Sequence, residues 1–300
     1  HHDTIKEVIS CKEQDTLGDL AAEFCIRLSK IPLFMKIMEV CPIPDLKIEE
    51  VLTELRKILL LERKKLSTNN DFLRFQIPLA LQCFTNEFIY GETEEETIAI
   101  KVLEASLQHS FSNDEEPSPC DIACLASYRP LFDYSWAVDI TPSPALEPLF
   151  KRQVIEVKEE LTLKEDIPRL NPIEDDVSLA VQSQYEENSY PRWVNTRLEI
   201  KPLSIKQVMT QVGLQVAKET SLLPEAPQIL IAGCGTGQHA LETASRFKDS
   251  HVTAIDLSLS SLAYAKRKTE EFGVTNIDYL QADILDLDLL DKHFDIIESV

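Results

Sequence analysis

Nowhere in the 300 residues does an apolar run approach the roughly 20 that a membrane-spanning helix needs. The start carries no signal-peptide pattern either, so the expected compartment is the cytoplasm. Basic residues are few: 30 Lys and Arg stand against 51 Asp and Glu, a net charge of −21. Such a surface repels phosphate backbones and argues against nucleic acid as a partner. It favours solubility, and it also suits a basic, lysine-bearing protein substrate. The seven cysteines, at 11, 25, 41, 83, 120, 124 and 234, have no paired framework spacing. An odd, scattered set reads as reduced thiols in a cytosolic protein. Cys120-x-x-x-Cys124 is not a zinc spacing and no second pair completes four ligands, so no metal is expected. Glycine is scarce as well, and three of the seven stand at 233, 235 and 237.

Those three glycines follow a short apolar strand: residues 229–237 read Ile-Leu-Ile-Ala-Gly-Cys-Gly-Thr-Gly. Glycine lets the backbone turn tightly off a strand and lets a ligand approach the main chain. The helix expected from Gln238 then offers unpaired N–H groups to an anion. A second strand, from His251, ends at Asp256, 19 residues beyond Gly237, where a carboxylate can accept two ribose hydroxyls. A third, Ile277 to Leu280, ends in Gln281-Ala282-Asp283, and a fourth begins near Phe294. Gly235-Thr-Gly237-Gln-His-Ala240 also satisfies a dinucleotide-binding pattern with Asp256 as its acid. Two features favour a different cofactor. Gly233 directly follows the strand, and Asp283 is a second acid for which the dinucleotide pattern has no use.

Together these residues resemble the class I S-adenosylmethionine-dependent methyltransferases. The resemblance implies an α/β Rossmann-like sheet and S-adenosylmethionine as cofactor. It places the cofactor against Gly233, Cys234, Gly235, Gly237, Gln238, Asp256, Leu257, Asp283 and Ile284. Asp256 would hold the ribose and Asp283 the adenine amino group, with Ile284 beside the ring. Many members carry an acid where this chain has Ala232. In this fold three further strands follow the fourth and carry the substrate pocket, so the chain is expected to be a fragment holding the first half of the sheet. No Asn-Pro-Pro-Tyr type motif follows the fourth strand, against methylation of DNA bases. A nicotinamide or flavin protein and a non-catalytic relative with a vestigial cofactor fold are the rival readings.

Before the sheet the periodicity is helical. Leu17, Leu20, Ala21, Phe24, Cys25 and Leu28 form one stripe, and Val51, Leu52, Leu55, Ile58 and Leu59 another. Pro32 is placed to open a helix, Thr93 and Glu96 have capping-box spacing, and Pro78 is expected to kink or delay its helix. The expected organisation is an all-α domain over 3–110, a linker and lid-like segment over 111–200, and the methyltransferase half over 201–300. The helical domain would serve assembly, a homodimer included, or docking. Leu149 to Leu163 reads as a short helix and an extended piece. Lys266-Arg-Lys268 reads as a solvated basic face, and His239 as a surface or packed residue.

Val177 to Tyr185 reads as a helix leading to a turn at Asn188 to Pro191. Residues 177–193, with Gln-Tyr-Glu-Glu-Asn-Ser-Tyr-Pro-Arg-Trp at their end, upstream of the glycine loop, resemble a bacterial group of methyltransferases often fused to tetratricopeptide repeats. The rickettsial lysine methyltransferases of an outer-membrane protein are similar. The group commonly has proline where this chain has Ser189. The resemblance implies protein-lysine methylation, with small-molecule methylation as the alternative. Within the segment, Tyr185, Tyr190, Arg192 and Trp193 admit two readings. They form a lid whose aromatic faces hold a cation and whose arginine meets the cofactor carboxylate, or they dock the segment on the sheet domain. No catalytic base can be named from the sequence.

Overall fold

The computed structural model describes residues 14–66, 72–113, 115–187, 189–213 and 223–299, and it divides the chain into two compact units, 1–158 and 159–300. The expected helical content of residues 3–13 and the turn residue Asn188 lie outside the described residues.

The first unit is helical. Its helices are α1 (Gln14–Ser29), α2 (Pro32–Val40), α3 (Leu46–Leu61), α4 (Arg63–Leu66), α5 (Leu73–Thr85), α6 (Glu94–Ser112) and α7 (Pro119–Leu125). Two short ones follow, α8 (Ser135–Asp139) and α9 (Glu147–Phe150). Local chemistry sets their starts. Asp45 caps α3 by accepting from the N–H groups of Lys47 and Ile48, both at 3.0 Å. Thr93 and Glu96 close a capping box on α6. Pro32 occupies the first turn of α2, and α5 runs through Pro78 without ending. Ala21, Phe24 and Cys25 of the first stripe and Leu52, Leu55, Ile58 and Leu59 of the second are buried in one cluster.

The composition change near residue 110 does not mark an edge of this unit. Cys120, Ile122, Tyr128, Leu131, Trp136, Leu149, Phe150 and Val154 join Leu103 and Leu107 in a single core. The expected extended piece beyond Leu149 is helical instead. A turn of π-helix, Lys151–Ile155, runs into α10 (Glu156–Glu165), within which the two units divide. Within that turn Gln153 is fully buried; its side chain accepts from Leu131 N at 3.1 Å and donates to the carbonyl of Ala126 at 3.0 Å.

The second unit continues with α11 (Asp176–Glu187) and α12 (Ile205–Gln211). The chain then alternates: β1 (Gln228–Ala232), α13 (Gln238–Arg246), β2 (His251–Asp256), α14 (Leu259–Glu271), β3 (Ile277–Gln281) and β4 (Ile296–Ser299). The strands are all parallel, in the order β3-β2-β1-β4. That is the order of the doubly wound nucleotide-binding folds, whose ligands sit at the carboxyl ends of the strands. Near-continuous apolar runs such as Ile-Leu-Ile-Ala follow from burial on both faces. On one face Ile229, Ile231, Val252, Ala254 and Tyr279 pack on α13 and α14; on the other Leu230, Ile255 and Ala282 meet Leu170, Leu287 and Phe294. The architecture is therefore an all-α part followed by a Rossmann-like α/β sheet, as the sequence leads one to expect.

Candidate cofactor site

At the carboxyl end of β1 the chain makes its glycine turns. Gly233 N and Cys234 N both donate to the carbonyl of Ile255, at 3.0 and 2.9 Å, so the loop is tied to β2. Gly235 and Gly237 adopt φ of +52° and +81°, the left-handed region that disfavours side chains. At Gly235 an added Cβ would meet nothing within 4 Å, since the residue faces open space. At Gly237, the residue before α13, a Cβ would stand 2.4 Å from Cβ of Ala265. The two glycines therefore answer different demands: Gly235 leaves room for a ligand, and Gly237 lets α13 approach α14.

Asp256 lies at the end of β2 with its carboxylate shared between two amides. Oδ2 accepts from Gly235 N at 2.8 Å and Oδ1 from Ser258 N at 2.9 Å. Burial pushes this carboxyl above its ordinary value, while the N–H groups of Ser258 and Gly235 hold it down. Asp283 is buried at the end of β3 and caps a 3-10 turn, Ile284–Leu289, by accepting from Leu285 N at 3.0 Å.

A cavity of about 300 Å³ collects these groups. Gly233, Gly235, Asp256, Leu257, Asp283 and Ile284 line it, and so do Tyr185 and Tyr190. Val181, Ser261 and Ala282 complete the walls. Three expected cofactor residues are not among the lining groups. Cys234 is buried; burial and the nearby Asp256 push its thiol well above the ordinary value, so it packs as a neutral side chain. Gly237 serves helix packing, and the Gln238 side chain turns to Thr196.

The aromatic segment divides in two. Tyr185 and Tyr190 stand half-exposed at the cavity. Arg192 and Trp193 are not among the residues that line the cavity. The Arg192 guanidinium pairs with Glu160 at 3.4 Å and lies over the Tyr264 ring, 5.6 Å from its centroid. Trp193 is buried against Leu241 and Tyr264, and its Nε1–H donates to the carbonyl of Thr236 at 3.0 Å. Thr236 Oγ1 in turn donates to the carbonyl of Pro191 at 2.8 Å. Residues 191–193 are thereby strapped to the glycine loop, and the strap carries Tyr190 to the cavity.

Several functional positions escaped the sequence reading. Glu186 is one: its carboxylate takes the N–H of Leu259 and the hydroxyl of Ser260 and pairs with Lys164. Although burial works the other way, Lys164 and Ser260 bring this carboxyl below its ordinary value. Glu186 thus fixes the end of α11, and Tyr185 with it, on the start of α14. The expected solvated face at 266–268 is largely buried. Arg267 Nε donates to Glu160 at 2.9 Å, and Lys268 Nζ donates to the carbonyl of Val194 at 2.7 Å. His239 meets Glu298 at 2.8 Å, a pairing with β4 that sequence spacing does not reveal.

Residues 229–300 match the family model described as "Methyltransferase domain". The (S)-tetrahydroprotoberberine N-methyltransferase of Eschscholzia californica is 32% identical over 77 residues, 26% of this chain and 22% of that protein. The fatty-acid O-methyltransferase of Mycolicibacterium smegmatis is 27% identical over 101 residues, 33% of this chain and 36% of that protein. A solved structure of coclaurine N-methyltransferase, bound to N-methylheliamine and SAH, aligns at 19% identity and a TM-score of 0.23. That alignment covers 67% of this chain and 54% of the other. The chain thus spans 22% and 36% of the lengths of the two relatives. Residues 229–300 carry a methyltransferase domain.

Proposed function

We propose that the protein binds S-adenosylmethionine in the cavity at the ends of β1, β2 and β3 and transfers its methyl group to a nucleophile. The observation that carries this reading is the convergence of Gly235, Asp256 and Asp283 on one cavity. The walls fit that cofactor. Open space at Gly235 admits a ligand to the backbone, and the carboxylates of Asp256 and the buried Asp283 accept from hydroxyl and amino donors. When bound, the cofactor supplies an electrophilic methyl group on a sulfonium centre. The chain's own residues bind and orient. Asp256 holds the ribose diol, Asp283 the adenine amine, and Leu257 and Ile284 the apolar faces of the base. Tyr185 and Tyr190 cover the mouth, exclude water and offer ring faces to a cation. Positioning and partial desolvation are the contributions such a site makes to an in-line displacement.

For the acceptor, we favour a small molecule with an amine or carboxylate nucleophile. The relatives' activities, N-methylation of (S)-tetrahydroprotoberberine and O-methylation of a fatty acid, support it. A protein lysine is the second reading, and the exposure of Tyr185 and Tyr190 favours it, because an extended side chain reaches such a mouth. Incubation with methyl-labelled cofactor, small amines and acids in one series and lysine-bearing proteins in another, separates the two. Label in a small amine or acid alone supports the first, and label in protein lysine overturns it.

A further inference from the structure

Three serines stand at the start of α14, and two of them are occupied. Ser258 Oγ accepts from Ser261 N at 3.1 Å and donates to the carbonyl of Tyr185 at 3.0 Å. Ser260 Oγ donates to Glu186 at 2.7 Å. Ser261 differs. The residue is 1% exposed and lines the cavity, and its Oγ has no hydrogen-bond partner among the described residues. Leaving a buried hydroxyl unpaired is costly, and such groups are rare in folded proteins. The helix does not require it, since alanine is the better helix former. It shares the cavity wall with Asp256, Leu257 and Asp283, at the ends of β2 and β3. When ionised, both carboxylates accept hydrogen bonds and donate none. A nucleoside presents hydroxyl and amino donors to such groups, but also ring nitrogens and a ring oxygen that need a donor. Ser261 supplies a buried donor in that part of the wall.

We infer that Ser261 is a specificity residue for the nucleoside half of the cofactor, its hydroxyl donating to an acceptor atom of the base or ribose beside Asp256 and Asp283. The inference rests on the proposed reading of the cavity. It concerns the nucleoside and not the amino-acid end, because the glycine turns that would face that end belong to β1, whereas Ser261 follows β2.

Calorimetry with two ligands tests it: S-adenosylhomocysteine, and 5′-deoxy-5′-methylthioadenosine, which keeps the nucleoside and lacks the amino acid. Ser261→Ala should weaken both about tenfold, the size of one hydrogen bond, and Ser261→Cys should weaken both by less. The melting temperature of the ligand-free alanine variant should equal or exceed that of the wild type, because an unpaired hydroxyl has gone. Equal affinity of wild type and alanine variant for both ligands overturns the inference while leaving the cofactor reading standing. A loss confined to S-adenosylhomocysteine overturns it too, by placing the contact on the amino-acid end. A wild type that binds neither ligand overturns the cofactor reading and this inference with it.

Discussion

The amide of Gly235 donates to Oδ2 of Asp256 at 2.8 Å, so the glycine loop after β1 and the acid after β2 form one unit. The carboxylate shapes the loop before any ligand arrives, and the loop amide helps keep the carboxylate charged. Asp256→Ala removes the acceptor for Gly235 and Ser258 and the proposed ribose contact together. Affinity for S-adenosylhomocysteine should fall by about 1.5–3 kcal/mol, the cost of losing a hydrogen bond with a charged partner. Because burial raises this carboxyl, it takes up its proton above the ordinary range. Wild-type affinity should therefore begin to fall, as pH is lowered, before an ordinary aspartate titrates. An affinity flat down to the ordinary range would contradict the assignment.

The two glycines with different surroundings should behave differently. Gly237→Ala forces a Cβ to 2.4 Å from Ala265 in the left-handed region and should cost about 2–4 kcal/mol of stability. Gly235→Ala meets no atom within 4 Å and should cost only about 1 kcal/mol, while projecting a methyl toward the ligand space. Chemical denaturation and ligand titration of both variants check this. The first loses stability, and the second loses affinity.

The aromatic segment gives a paired test. Tyr190→Ala should lower ligand affinity or turnover about tenfold with little change in melting temperature. Arg192→Ala should do the reverse, because its guanidinium is committed to Glu160 and the Tyr264 ring. Trp193→Ala, emptying a buried ring's place, should destabilise by about 3–5 kcal/mol. Activity per folded molecule and thermal melts on the three variants decide it.

How much of this was legible in the chain follows from how local each feature is. The glycine register, the acids at the ends of β2 and β3, the capping box of Thr93 and Glu96 and the helix before Tyr185 are written in contiguous residues. Interactions that close only in three dimensions were not. Lys268 lies on a helix whose neighbours in sequence say "exposed", yet the carbonyl of Val194 and the Trp193 ring cover it. Gln153, in the π-turn, is held by partners 22 and 27 residues away. Arg192 reads equally well as a cofactor clamp or a docking cation, and only the position of Glu160 decides between them. Ser261 is one serine among three until the partners of the other two are known.

Glu186 carries a stability prediction with a definite sign. Its carboxyl is lowered in the folded state. Such a group contributes stability that is fully present above its unfolded value, near 4.5, and is lost as pH falls through the lower folded value. Glu186→Gln should therefore cost about 1 kcal/mol at neutral pH, and the difference from wild type should vanish in acid. Denaturation curves of the two proteins across that range check it. A difference that stays constant with pH would show that charge plays no part in the staple.

The most direct test of the account is a comparison of cofactors by calorimetry on the wild type. The account predicts that S-adenosylmethionine and S-adenosylhomocysteine bind at micromolar concentration, that Asp256→Ala weakens both, and that NAD does not bind. Tight NAD binding, or affinity for S-adenosylhomocysteine unchanged in the Asp256 variant, would contradict it.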